Sequence, residues 1–115
     1  MQIKRGDIVL VNLNPTRGSE QGKKRPAVVI QNNLGNQYSP TTIIAPITSK
    51  IFTKEFPTNV QITPQESSLE KPSTILLNQI RTIDKLRIIK KIATITDELT
   101  LEKITLAIKI SLAIS

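Results

Sequence analysis

Short runs of β-branched residues, each cut off within a few positions by Gly, Pro, Asn or Asp, constrain this chain more than any other feature. Ile8-Val9-Leu10-Val11 lies between Gly6-Asp7 and Asn14-Pro15, and Ala27-Val28-Val29-Ile30 lies between Arg25-Pro26 and Asn32-Asn33. Side chains branched at Cβ are stiff and pack well on a pleated surface, and short apolar runs bounded by turn formers are strand-sized. The pattern predicts strands over 8–13, 27–30, 41–47, 60–62, 73–77 and 80–83. Residues 87–95 form a last strand, or a helical turn followed by one. Residues 32–36 read as a turn, because Asn and Gly tolerate positive φ, and 63–72 as polar linker. Pro46 cannot donate a ladder hydrogen bond, which puts the third strand at a sheet edge or ends it there.

The C-terminal segment carries two periodicities. Every even position from Ile104 to Ile114 is Ile or Leu, a strand alternation. Yet Asp97-Glu98 opens some eighteen residues rich in Leu, Glu, Lys and Ala, and Asp97 is suited to cap free amides at a helix start. Length favours the helix. It would carry one apolar stripe at Leu101, Ile104, Ile108 and Leu112 and a nearly opposite one at Leu99, Leu106, Ile110 and Ala113. One stripe suffices to lie on a monomer core, so the second predicts a homodimer with this helix at or near the interface. Six or seven short strands and a terminal helix make a mainly β protein, a small and partly open barrel, expected as one domain over 1–115.

Composition narrows the chemistry. The chain has 16 Lys and Arg against 9 Asp and Glu, for a net charge of +7, which attracts polyanions. Only Tyr38, Phe52 and Phe56 are aromatic, too few for a sheet that stacks successive bases. With neither Cys nor His, disulfides, thiol catalysis, the usual zinc ligands and the commonest general base are excluded. Metal-free chemistry without a cofactor is the expectation. No run of eighteen apolar residues and no apolar leader occurs, which predicts a soluble cytoplasmic protein without membrane contact.

The candidate chemistry starts in the loop over 14–24, which at eleven residues is long for a hairpin. Arg25 stands directly before Pro26 and a buried strand, poised to hold a phosphate with its planar fork, although a surface salt bridge is the plainer alternative. Glu20 is a carboxylate of the same loop able to accept a proton, and loop glutamates are usually just solvated. Thr48, at the exit of the third strand with Ser49 and Lys50, has a hydroxyl for a phosphoryl oxygen, whereas most such threonines cap or turn. Gln79 has the groups to read a base edge or to satisfy backbone. Lys23, Lys24, Lys50 and Lys54 are plausible phosphate contacts.

Together these residues carry a resemblance. Lys4-Arg5-Gly6-Asp7-Ile8, Asn14-Pro15, Gly18-Ser19-Glu20-Gln21-Gly22, Arg25-Pro26-Ala27-Val28-Val29-Ile30-Gln31-Asn32, Ala45-Pro46-Ile47-Thr48-Ser49 and Gln79-Ile80-Arg81-Thr82-Ile83-Asp84-Lys85 follow one another as in the MazF/PemK family of toxin endoribonucleases, the mRNA interferases. The resemblance spans essentially the whole chain. It implies an SH3-like barrel with a C-terminal helix, a homodimer, and metal-independent cleavage of single-stranded RNA at a short sequence. It also implies a cognate antitoxin whose disordered tail blocks the RNA site. The family's catalytic arginine falls on Arg25, its catalytic threonine on Thr48 and its loop glutamate on Glu20.

In such a reaction the 2′-hydroxyl attacks the adjacent phosphorus, leaving a 2′,3′-cyclic phosphate and a 5′-hydroxyl. Arg25 and Thr48 are expected to stabilise the phosphoryl oxygens, with Glu20 the candidate proton acceptor. RNA contacts are expected from Ser19, Gln21, Lys23, Lys24, Asn32, Ser49, Lys50, Phe56 and Gln79, since single-stranded bases are read on splayed edges and by stacking. Two alternatives belong to other classes. The same barrel serves gyrase-poisoning toxins, and a basic barrel can bind nucleic acid without cleaving it.

Overall fold

The computed structural model describes residues 1–15, 17–20 and 23–115. In chain order the elements are β1 (Asp7–Asn12), β2 (Lys24–Val29), α1 (Asn33–Tyr38), β3 (Thr41–Thr48), β4 (Asn59–Ile62), α2 (Pro64–Ser67), β5 (Ser73–Leu76), β6 (Arg81–Asp84), a 3-10 turn (Lys85–Arg87), β7 (Ile88–Thr94) and α3 (Glu98–Ser111). The strands pair antiparallel in the order β4-β5-β3-β2-β1-β7, with β6 also on β3, and the path does not close into a ring.

Unbroken apolar runs in β1 and β2 reflect burial on both faces of the sheet. Ile8, Val28, Ala45 and Ile47 point to one side, where they pack with Ile104 and Ala107 of α3. Val9, Val11, Ala27, Val29 and Ile44 point to the other, where Ile3, Leu13 and Ile83 cover them. A strand buried on both sides needs apolar residues at successive positions rather than alternate ones.

The C-terminal segment is a helix. Asp97 caps it by accepting from the Thr100 amide at 3.0 Å. Thr100, Ile104 and Ala107 are buried, and Leu101 and Ile108 pack half-buried beside them. Leu112, expected on the same stripe, lies at the C-cap and is exposed, while Leu99, Leu106 and Ile110 of the second stripe face outward. Among the described residues no helix is long and apolar enough to cross a membrane.

Three local readings change. Residues 32–36 are not a bare turn: Asn32 caps α1, its Oδ1 accepting from the Gly35 amide at 2.8 Å, and Asn36 is buried with its Oδ1 accepting from the Thr42 hydroxyl at 2.7 Å. Residues 63–72 are not plain linker, because Thr63 and Glu66 form a reciprocal capping box around Pro64 at the start of α2. Nor does Pro46 mark an edge. β3 has β2 on one side, with Ala27 opposite Pro46, and on the other side first β6, as far as Ile44, and then β5 from Ile47. Pro46 stands at the handover, where its missing N–H interrupts no ladder.

Candidate active site

The register of the sheet assembles the site. Val11 lies opposite Arg25 on one side of β2, and Ala27 lies opposite Pro46 on the other. Continuing that antiparallel register by two residues sets Arg25 across from Thr48, on the face that carries Ala27, Val29 and Ile44. Both then stand where β2 and β3 emerge from the core, half-buried on a rigid base. They line one cleft of about 430 Å³ with Ser49, Glu70, Lys71 and Ser73. The Thr48 hydroxyl oxygen accepts from the Lys50 amide at 3.2 Å, so its own proton is available for donation. A guanidinium, an ammonium and hydroxyls around one cavity are a set suited to the oxygens of a phosphodiester.

The loop between β1 and β2 is fixed at its base by two distant arginines. Arg81 donates to the Leu13 carbonyl at 3.1 Å, and Arg87 donates to the Asn12 carbonyl at 3.1 Å and to that of Asn14. Across the neck, the Leu13 amide donates to the Lys23 carbonyl at 2.9 Å and the Lys23 amide to Asn14 Oδ1 at 2.8 Å. Farther out, Glu20 accepts from the Arg17 amide at 3.2 Å. Its carboxylate lines a second cleft of about 190 Å³ with Pro46, Asn78, Gln79 and Arg81.

The expected residues thus fall into separate places. Arg25, Thr48 and Ser49 share the first cleft, while Glu20 and Gln79 share the second. Lys50 turns away, its ammonium 5.0 Å from the centre of the Phe52 ring. Phe52 and Phe56 meet edge to face at 5.8 Å, and Phe56 lines a third cleft of about 650 Å³ with Lys54, Lys103 and Leu106 of α3. Ser19, Lys23 and Lys24 are exposed along the first loop, and Gln21 lies outside the described residues. Asn32 is engaged as the α1 cap.

Sequence reasoning missed Glu70 and Lys71 in the first cleft and Arg81 in the second. The signal for the first pair was Thr63-Pro64-Gln65-Glu66, a capping box that announces a helical turn and hence a folded segment rather than a linker. Among the described residues no group of three or more His, Cys, Asp or Glu is placed to hold a metal ion.

Comparison with known proteins gives the arrangement a family. Endoribonuclease EndoA of Bacillus subtilis is 48% identical over 114 residues, spanning 99% of this chain and 97% of that protein. Among solved structures, MazF of Deinococcus radiodurans superposes with a TM-score of 0.82 at 23% identity, covering 99% of each chain. A mycobacterial endoribonuclease superposes with a TM-score of 0.80 at 18% identity, covering 99% of this chain and 94% of that one. Residues 4–112 match the model of the PemK-like, MazF-like toxins of type II toxin-antitoxin systems, and the chain belongs to that family.

Proposed function

We propose that this chain, acting over residues 1–115 as one domain, is a cytoplasmic, sequence-specific endoribonuclease toxin that cleaves single-stranded RNA without a metal ion. The observation that carries the reading is the pairing of Arg25 with Thr48 in one cleft of a chain with a net charge of +7. The near-full-length likeness to an endoribonuclease supports it. The nucleophile is the substrate's own 2′-hydroxyl. As it attacks, charge grows on the phosphoryl oxygens, and Arg25 and the Thr48 hydroxyl meet that charge from fixed positions, where each such donor contributes about 2–4 kcal/mol. The products are a 2′,3′-cyclic phosphate and a 5′-hydroxyl.

Glu20 and Gln79, in the second cleft, are better placed to read a base beside the scissile phosphate than to act on it. Ser19, Lys23 and Lys24 extend that RNA-facing edge, Gln21 is a further RNA contact expected from the sequence, and Phe56 offers a ring for stacking. A homodimer formed through the outward face of α3 accounts for its exposed leucines and isoleucine. Solved complexes of MazE with MazF from Deinococcus radiodurans, one with a TM-score of 0.77 to this chain, support a cognate antitoxin as the second protein partner.

The test is cleavage of a long transcript in excess chelator with both new ends mapped. Wild-type protein is expected to cut at one short sequence and to leave cyclic phosphate and 5′-hydroxyl ends. Arg25→Ala is expected to lose at least about 100-fold in rate. Strict metal dependence, or undiminished cleavage by Arg25→Ala, refutes the assignment. Binding that weakens with salt but never cuts would leave only a nucleic-acid-binding barrel.

A further inference from the structure

We propose that Glu70 is the proton acceptor for the attacking 2′-hydroxyl and that Lys71 protonates the leaving 5′-oxygen. This rests on the ribonuclease reading above and assigns its two missing proton-transfer groups. Arginine is never deprotonated in proteins and a threonine hydroxyl is no base, so the Arg25–Thr48 pair stabilises charge without removing a proton. A carboxylate is the side chain suited to that task in a chain without histidine. Glu20 lines the neighbouring cleft, whereas Glu70 lines the cleft that holds Arg25 and Thr48.

The segment that carries Glu70 is held in place rather than loose. α2 ends at Ser68 in a left-handed conformation with φ of 59°, and the Leu69 amide donates to Ser67 Oγ at 3.0 Å. Leu69 itself packs against the main core. On the other side of Glu70, the hydroxyl of Ser73, the first residue of β5, donates to the Lys71 carbonyl at 3.0 Å. A core-anchored leucine before it and a bonded carbonyl after it are the supports a reacting side chain needs, while Glu70 remains exposed to a polymer.

The step balances as a transesterification. The 2′-oxygen bonds to phosphorus and its proton passes to Glu70. The P–O5′ bond breaks, its electron pair stays on the 5′-oxygen, and that oxygen takes a proton from the Lys71 ammonium. Glu70 then returns its proton to Lys71 through solvent. The charged groups lining the cleft with Glu70 are Arg25 and Lys71, both cationic.

The experiment is single-turnover cleavage of a defined RNA by wild type, Glu70→Gln and Glu70→Asp, with binding to the same RNA carrying a 2′-deoxy scissile nucleotide. Glu70→Gln is expected to cleave about 100-fold or more slowly and to lose the acid limb of the pH–rate profile, with binding within about twofold of wild type. Glu70→Asp is expected to recover part of the rate and the limb. The site is exposed, and thermal unfolding of each variant verifies the fold. If Glu70→Gln cuts within about threefold of wild type with the acid limb intact, or loses binding in proportion to rate, Glu70 is not the acceptor. If wild-type protein does not cut, the ribonuclease reading falls and this one with it; wild-type cleavage beside an unaffected Glu70→Gln removes only the acceptor.

Discussion

Thr48 shows how much a single side chain can carry and how to measure it. Its oxygen accepts from the Lys50 amide while its proton faces donation, so the hydroxyl has a structural half and a chemical half. Thr48→Ser keeps both and is expected to cleave within about fivefold of wild type. Thr48→Val keeps the shape but not the O–H. It is expected to lose about 100-fold in single-turnover rate, for one oxyanion donor, and only about 1 kcal/mol of stability for the Lys50 bond. Rate and unfolding measured on the same preparations check the split, and a Thr48→Val protein that cuts normally removes the hydroxyl from the mechanism. Arg25 and Thr48 were expected together from the family resemblance more than from their places at the ends of β-branched runs, and the structure sets both in one cleft. Glu70 was not, since its place beside them depends on how β5 docks on β3 and no local pattern records that. Glu20, five positions from Arg25 in the chain, lines another cleft, and that too depends on the fold and not on spacing.

Among the elements, the two helix starts are linked to each other. The Thr100 hydroxyl of α3 lies 2.8 Å from Asp97 Oδ2 and also meets Glu66 Oε2, the carboxylate that closes the α2 capping box. The Thr100 hydroxyl and then its amide lower the pKa of the Asp97 carboxyl from its ordinary value, against the opposing effect of burial and with a smaller contribution from Lys103. A carboxyl whose pKa is depressed in the folded state stabilises the fold above its unfolded value and loses that contribution as pH falls through the folded one. Asp97→Ala is therefore expected to lower the unfolding midpoint by a few degrees near neutral pH. The gap from wild type should close on acidification below the usual carboxylate range. Thermal scans across that window check it, and a gap that persists in acid argues against the ionised cap. The cap also decided what periodicity alone did not. Alternation from Ile104 onward suited a strand, yet Asp97 at the head of a long segment pointed to the helix that forms. The α2 box was written just as plainly, but four residues of helix are too few to show any hydrophobic period.

At the scale of the whole molecule, the unresolved balance is apolar surface. The core clusters on the two faces of the sheet account for the strands and for one stripe of α3, but Leu99 and Leu106 remain 58% exposed and Ile110 45% exposed. They are spaced at 99, 106 and 110 on the side of the helix turned away from Ile104 and Ala107. A contiguous apolar face on an otherwise cationic protein costs solubility unless another surface covers it. In a two-fold dimer the same patch meets itself, so one self-complementary stripe serves both protomers. The expected species at micromolar concentration is a dimer of 12.8 kDa chains. Leu106→Glu with Ile110→Glu places two carboxylates per protomer on that face. Both side chains are outside the monomer core, so the fold should persist while the dimer dissociates at least about 100-fold more readily, since burying unpaired charge is costly. Sedimentation velocity with circular dichroism on the same samples separates the two effects. A double variant that sediments as the wild type does, with its helix intact, shows that α3 contributes nothing to assembly.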